Sequence, residues 1–238
     1  MAENGKLRIG LFGASGRMGG AIARAAAASD DLEVAEAESG ADVFLDFTAP
    51  DALEANLRAA TGAGKPILVG TTGLGDGHRQ KLEAAAEAIA VIHAPNTSLG
   101  VNLLRHLVSQ AAARLGPDWD IEVLEMHHRD KKDAPSGTAL LLGASAAEGR
   151  GSTLQALSRF DRFDGGARAP GTIGYASLRG GSVAGEHLVI FAGDGERIEL
   201  GHRADSRAIF ARGALAAARW LAGRPAGFYT MADVLGLP

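Results

Sequence analysis

Over the first half of the chain, short apolar runs alternate with alanine-rich stretches of helical spacing. Strands are expected at Lys6–Phe12, Leu32–Ala37, Val43–Phe47, Pro66–Val69 and Ile89–His93. Helices are expected at Gly20–Ala28, Asp51–Ala63 and Gly77–Ala88. The second has Asp51 near its positive end, and Gly62 and Gly64 close it. Such alternation predicts a parallel sheet with helices on both faces. Ligands of such a sheet bind beyond the carboxyl ends of its strands.

From about Gly100 the pattern changes. A helix at Val101–Arg114, a strand at Asp120–Met126 and a helix at Thr138–Glu148 are followed by a glycine-, serine- and charge-rich stretch, Gly149–Gly166, expected to be a mobile loop. Three strands then follow with only turns between them: Thr172–Arg179, His187–Ala192 and Arg197–His202. Consecutive strands without helices predict an open antiparallel or mixed sheet in a second domain. The helix Ser206–Ala222 and the tail Phe228–Leu237 carry spare apolar surface and are expected to return to the first domain. The fold class is therefore α/β: an N-terminal Rossmann-type parallel sheet plus a second α+β domain with an open mixed sheet. The expected domains are 1–99 with 206–238, and 100–205.

A chain of 238 residues can bury one substantial core or two small ones. With 46% hydrophobic and 22% charged residues it reads as an ordinary soluble globular protein. A net charge of −4 gives no reason to expect a nucleic-acid partner. The absence of cysteine excludes disulfides, thiolate metal sites and covalent thiol mechanisms, and is compatible with a reducing cytoplasm. The start, MAENGKLRIGLF, lacks the long apolar core of a signal peptide, and charges interrupt the longest alanine-rich stretches. A cytoplasmic protein without membrane contact is expected.

Chemistry concentrates in His127–Leu140, HHRDKKDAPSGTAL. Two adjacent histidines, Arg129, Lys131 and Lys132 suit a site that holds an anion and transfers a proton. Pro135-Ser136-Gly137-Thr138 reads as a helix start, whose free N–H groups favour negative charge. Taken alone, the run reads more readily as a solvated basic turn capping a helix. His127, His128 and Asp130 could suggest a metal, but the neighbouring cations argue against one.

A second motif, Gly13-Ala14-Ser15-Gly16-Arg17-Met18-Gly19, joins the first strand to the first helix. Small residues there let backbone N–H groups approach a pyrophosphate, although Ser15 stands where the common fingerprint has glycine. Glu36 and Glu38 lie near the ~20-residue offset of a ribose-binding carboxylate, and Glu38, nearer the strand's end, is preferred. Gly70-Thr71-Thr72-Gly73 and Ala94-Pro95-Asn96-Thr97-Ser98 end two later strands and suit backbone contact with the nicotinamide end of a cofactor. A short-chain dehydrogenase is set aside, because Tyr175 is followed four residues later by Arg179 rather than lysine. His78, His93, His106, His187 and His202 stand isolated in sequence and read as packing or surface residues.

In this order GASGRMG, DFT at Asp46–Thr48, GTTG, APNTSLGVN, HHRDKKDAPSGTAL, PGTIGYASLRGG and GEH closely resemble the 4-hydroxy-tetrahydrodipicolinate (dihydrodipicolinate) reductase family of the bacterial lysine pathway. The resemblance spans nearly the whole chain. It implies a homotetramer built on the second domain's sheet, and NADH- or NADPH-dependent reduction of a cyclic imine dicarboxylate with release of water. It implies that His127 is the general acid/base, Lys131 the proton donor, His128 a substrate contact, and Gly137 and Thr138 the holders of a substrate carboxylate. Gly13, Ala14, Ser15, Gly16, Arg17, Met18, Glu38, Gly70, Thr71, Thr72, Ala94, Pro95, Asn96 and Thr97 form the expected cofactor site. Hydride from one side and a proton from the other would require the two domains to close.

Three departures matter. Glu38 and Asp46 are nearly adjacent, so a segment that many members carry between strands two and three is missing. Ser39-Gly40 stand where an arginine often meets the phosphate of NADPH, which leaves the choice between NADH and NADPH open. Thr97 replaces a common aromatic residue. Two alternatives remain at this level: a nicotinamide-dependent enzyme for another small anion, and a non-catalytic dinucleotide sensor. A sensor has no use for two histidines and a lysine at a helix-start anion site.

Overall fold

A computed structural model describes residues 5–35, 40–161 and 165–238. The chain divides into two compact units, Met1–Leu99 with Ala208–Pro238, and Gly100–Arg207.

The first unit is a six-stranded parallel sheet of β1 (Leu7–Phe12), β2 (Leu32–Val34), β3 (Val43–Asp46), β4 (Ile67–Val69), β5 (Ala90–His93) and β11 (Gly227–Tyr229), in the order β11-β5-β4-β3-β1-β2. Helices α1 (Arg17–Ala27), α2 (Leu53–Gly62), α3 (Asp76–Ala86), α7 (Ala208–Leu221) and α8 (Met231–Leu235) complete it. The strand alternation of side chains explains the two layers. Val43, Leu45, Leu68 and Ile92 point to one face and pack with Ile22 of α1 and Leu215 of α7. Phe44, Ile67, Val69 and Val91 point to the other and pack with Leu53 and Leu57 of α2 and Leu82 of α3. Strand order reverses between β1 and β3, and a crevice at such a point receives ligands. The chain's last strand joins this sheet through the register Gly227↔Ala90 to Tyr229↔Ile92.

The second unit is a mixed sheet of β6 (Asp120–His127), β7 (Ser158–Arg159), β8 (Ile173–Arg179), β9 (Gly185–Gly193) and β10 (Glu196–Ala204), in the order β10-β9-β6-β8-β7. β8 runs parallel to β6 and β7, while β9 runs antiparallel to β6 and β10. Helices α4 (Leu99–Leu115) and α5 (Gly137–Gly149) supply Leu104, Val108, Leu142 and Ala146 to a core with Ile121, Val123, Val189 and Phe191 of the sheet. The opposite sheet face carries Leu124, Met126, Leu178 and Leu188, which with Glu186 and Arg203 line a cavity of about 380 Å³.

The stretch expected to be a mobile loop contains regular structure. Residues Leu154–Leu157 form α6, whose first turn is capped by the Thr153 hydroxyl accepting from Ala156 N–H, and Ser158–Arg159 pair with β8. Two arginines fix its flanks. Arg150 donates to the carbonyls of Gly116, Trp119 and Gly171, and Arg168 binds Asp120, Glu122 and the carbonyls of Ile121, Ala169 and Thr172. Composition hides these elements because each is too short to show a period.

Candidate active site

The glycine turn after β1 reaches the helix start that its residue types suggest, and α1 begins at Arg17 rather than Gly20. Gly13 has φ 83°, a region open to glycine, and Gly16 N–H closes the turn onto its carbonyl at 3.0 Å. A Cβ at Gly19 would lie 2.2 Å from the Gly13 oxygen and 2.6 Å from Ala14 Cα, so glycine lets the helix lie against the loop. No side chain caps α1 and its first turn holds no acid, while Ala14, Ser15, Gly16 and Arg17 are exposed. The turn therefore offers an uncapped positive helix end to a phosphate group.

Two other loops flank the same sheet edge. Gly70 sits where a Cβ would meet the Phe47 ring at 2.2 Å. The Thr71 hydroxyl turns inward, 3.3 Å from Asp46 Oδ1, which also accepts from the Thr48 N–H and hydroxyl. Thr97 is buried too, its hydroxyl donating to the Phe210 carbonyl at 2.7 Å. Asn96 Oδ1 accepts from Ser98 N–H as the chain enters α4, and Thr72 and Pro95 are exposed. At Thr71 and Thr97 the side chains are thus committed to the fold, leaving backbone groups for any ligand. Glu36 and Glu38 lie outside the described residues.

In the second unit, β6 places Glu125 and His127 on the helix-covered face because they are two residues apart on a strand. The Glu125 carboxylate, 1% exposed, is the centre of a hydrogen-bond cluster. Arg179 of β8 grips it with both terminal nitrogens, Nη1 to Oε2 at 2.8 Å and Nη2 to Oε1 at 2.7 Å. His127 Nδ1 lies 2.6 Å from Oε2, and the Ser136 backbone N–H donates to Oε1 at 3.1 Å. Burial works to raise the Glu125 pKa, but Arg179, then His127 and Ser177, hold it down at about 2.

His187 of β9 is not isolated in space. Its ring meets that of His127 edge-on at 5.1 Å, and its Nε2 lies 3.1 Å from the Ser136 hydroxyl. That hydroxyl also accepts from Ala139 N–H and so caps α5. Burial first, then the neighbouring His127, pushes the His187 pKa down to about 4. Burial likewise lowers that of His127, with Glu125 opposing and Lys131 and Arg179 assisting.

The loop between β6 and α5 brings Lys131 to Asp133 at 2.9 Å. The same Asp133 carboxylate accepts from the Gly137 N–H, and its pKa is lowered chiefly by the Lys131 hydrogen bond. His128 Nε2 accepts from Arg207 at 3.2 Å. Arg129 and Lys132 are exposed, as is Gly137, while Thr138 is half-buried. Glu125, Arg179 and His187 are thus the members of the cluster to which the motifs assign no role, while Ser136 was read only as part of the helix start. The spacing of Glu125 and His127 on a strand was the available signal.

The chain is similar to known proteins along most of its length. The family model described as "Dihydrodipicolinate reductase, C-terminus" matches residues 100–235, and its N-terminal counterpart matches residues 29–97. The 4-hydroxy-tetrahydrodipicolinate reductase of Zymomonas mobilis subsp. mobilis is 56% identical over 255 aligned positions, covering 100% of both chains. That span exceeds the 238 residues here, so the relative carries residues that this chain lacks. The enzyme of the same name from Thiobacillus denitrificans is 43% identical over 97% of this chain and 99% of its own. A solved structure, the dipicolinate-bound dihydrodipicolinate reductase from Paenisporosarcina sp. TG-14, shares the fold at a TM-score of 0.76 and 24% identity, covering 96% of this chain and 98% of that one. The chain belongs to the dihydrodipicolinate reductase family, the oxidoreductases that act on 4-hydroxy-tetrahydrodipicolinate in lysine (diaminopimelate) biosynthesis.

Proposed function

We propose that this chain carries out its family's reduction with NADH or NADPH held by the first unit and the dicarboxylate held by the second. The observation that carries the reading is the cluster at the end of β6. There a buried carboxylate holds His127, and Lys131 stands with Asp133 at the start of α5.

The first unit fits a dinucleotide because its turn leaves no room for a Cβ at Gly19 and presents an uncapped helix end. Gly13, Ala14, Ser15, Gly16, Arg17 and Met18 would hold the pyrophosphate, and Glu38 the ribose. Gly70, Thr71, Thr72, Ala94, Pro95, Asn96 and Thr97 would line the nicotinamide end. Bound there, the reduced nicotinamide supplies the hydride.

The chain's own groups manage charge and protons. One substrate carboxylate takes the N–H groups of Gly137 and Thr138, displacing the Asp133 carboxylate from the Gly137 N–H, while His128 contacts the substrate. Loss of the 4-hydroxyl as water gives a conjugated C=N system. Hydride addition to it leaves an electron-rich centre, which Lys131 protonates, and His127 serves as general acid/base. The second unit's uncovered face, with Leu124, Met126, Leu178 and Leu188, is the surface that would bring four copies together in a homotetramer. A cytoplasmic location accords with the absence of cysteine from the sequence.

Steady-state kinetics of Lys131→Ala test this directly. The expected result is a fall in kcat of about 100-fold or more with cofactor affinity nearly unchanged. Equal losses in both would make the lysine structural.

A further inference from the structure

The cluster around Glu125 contains more than the proton carriers require. Glu125 is almost fully buried, yet beyond its contact with His127 none of the roles above falls to it. It receives hydrogen bonds from β6, from β8 and from the first turn of α5, that is, from His127, Arg179 and Ser136. We infer that Glu125 is a positioning residue that sets the tautomer of His127 and ties that histidine to the anion-binding start of α5.

An ionised carboxylate can only accept, so the short contact at 2.6 Å requires the proton on His127 Nδ1. In the neutral ring Nε2 is then the free nitrogen, the one that exchanges protons with a ligand. The fold leaves room at that atom. A Cβ at Gly185 would fall 3.0 Å from His127 Nε2, so glycine keeps this edge of the ring clear.

Arg179 has the complementary task. An unpaired buried carboxylate beside an imidazole would draw a proton onto the ring and hold it as a fixed cation. The groups facing His127 are Glu125 on its own strand, Arg179 from β8, Lys131 from the following loop and His187 from β9, with His202 opposite His187 on β10. One anion faces two cations and two neutral rings, and one of those cations, Lys131, is itself paired with Asp133. Arg179 therefore cancels the charge of Glu125 while leaving its hydrogen bond to His127 in place. A neutral, oriented histidine is the outcome.

The same carboxylate oxygen that Arg179 Nη2 binds also accepts from the Ser136 N–H, and Arg179 Nη2 donates to the Asp133 carbonyl at 2.7 Å. The loop carrying Lys131 and the helix start carrying Gly137 and Thr138 thus share one anchor with His127. Losing Glu125 disturbs proton transfer and carboxylate binding together.

This inference rests on the proposed role of His127 only for its catalytic consequence. Its structural half is read by long-range nitrogen NMR of the neutral imidazoles in the full chain, with the His127 signals assigned by their absence in His127→Gln. The native ring is expected as the Nδ1–H tautomer. Glu125→Gln, whose amide oxygen can still accept, keeps that tautomer and retains kcat within about tenfold. Glu125→Leu could fail to fold with Arg179 left unpaired, so the decisive variant is Glu125→Leu/Arg179→Met, which removes both charges. In it the Nδ1–H tautomer is lost, kcat falls about 100-fold and the KM for the cofactor stays within about twofold. The inference is overturned if the double variant keeps the native tautomer, or if kcat falls equally in Glu125→Gln and in the double variant. A His127→Gln protein with native kcat would instead overturn the role of His127, and the NMR result would still decide the positioning.

Discussion

Replacing Arg179 with methionine should expose how strongly the second unit depends on the Glu125 cluster. The guanidinium makes two charge-assisted bonds to Glu125, at 2.7 and 2.8 Å, and a third to the Asp133 carbonyl. Its side chain is 19% exposed and that of Glu125 is 1% exposed, so solvent screens the pair weakly. Breaking one side of a buried pair costs about 3–5 kcal/mol, most of it from the charge left behind. Here His127 can soften the loss by accepting a proton, which places the expected cost at about 3 kcal/mol near pH 8.

The sign of the pH dependence follows from the native groups. Glu125, held at about 2, contributes stability that is present above its unfolded value and is lost as pH falls toward 2. Without Arg179 the folded pKa values of Glu125 and His127 both rise, so the variant takes up a proton as pH falls. Its deficit relative to the native chain should therefore shrink by about 1 kcal/mol between pH 8 and pH 6. The chain has two tryptophans, Trp119 in the second unit and Trp220 in the first. Urea unfolding followed by Trp119 fluorescence in a Trp220→Phe background isolates the relevant unit. A loss under about 1 kcal/mol at pH 8, or a deficit that grows on acidification, would refute the reasoning. The Glu125→Leu/Arg179→Met protein is the control and should lie within about 2 kcal/mol of the native chain.

Gly19→Ala should weaken NADH binding by about tenfold or more, because its Cβ would sit 2.2 Å from the Gly13 oxygen and push the phosphate turn from α1. Fluorescence titration with NADH measures this, and unchanged affinity would remove the turn from the cofactor site. His187, with its pKa lowered to about 4, should stay neutral through pH 5 to 9 in an NMR titration. Because the unfolded ring binds a proton that the folded one refuses, its burial makes stability fall as pH drops below about 6.5 and level off below about 4. A midpoint near 6.5 in the folded chain would contradict the burial argument.

Much of the fold was legible because both periodicities were present. The apolar strands Val43–Asp46 and Ile67–Val69 and the alanine-rich helices could be read from residue type, and their alternation specified a parallel sheet. The elements at Leu154–Leu157 and Ser158–Arg159 could not, since four and two residues carry no period and their order comes from Thr153, Arg150 and β8. The same division holds at the site. His127, Lys131, Gly137 and Thr138 stand in one motif and could be named from it. Arg179 and His187 arrive on separate strands and meet His127 only through sheet register, Arg179 opposite His127 on β8 and His187 opposite Glu125 on β9. Sequence neighbours do not encode that meeting.

Under the proposed function, this chain passes hydride from a nicotinamide cofactor to its dicarboxylate, and the cluster at the end of β6 supplies the proton. The most direct measurement mixes the purified protein with NADH or NADPH and the condensation product of pyruvate and aspartate semialdehyde, then follows cofactor absorbance. Steady consumption is expected, stopping when the substrate is withheld and falling about 100-fold in Lys131→Ala. No consumption with either cofactor, or full activity in the lysine variant, would contradict it.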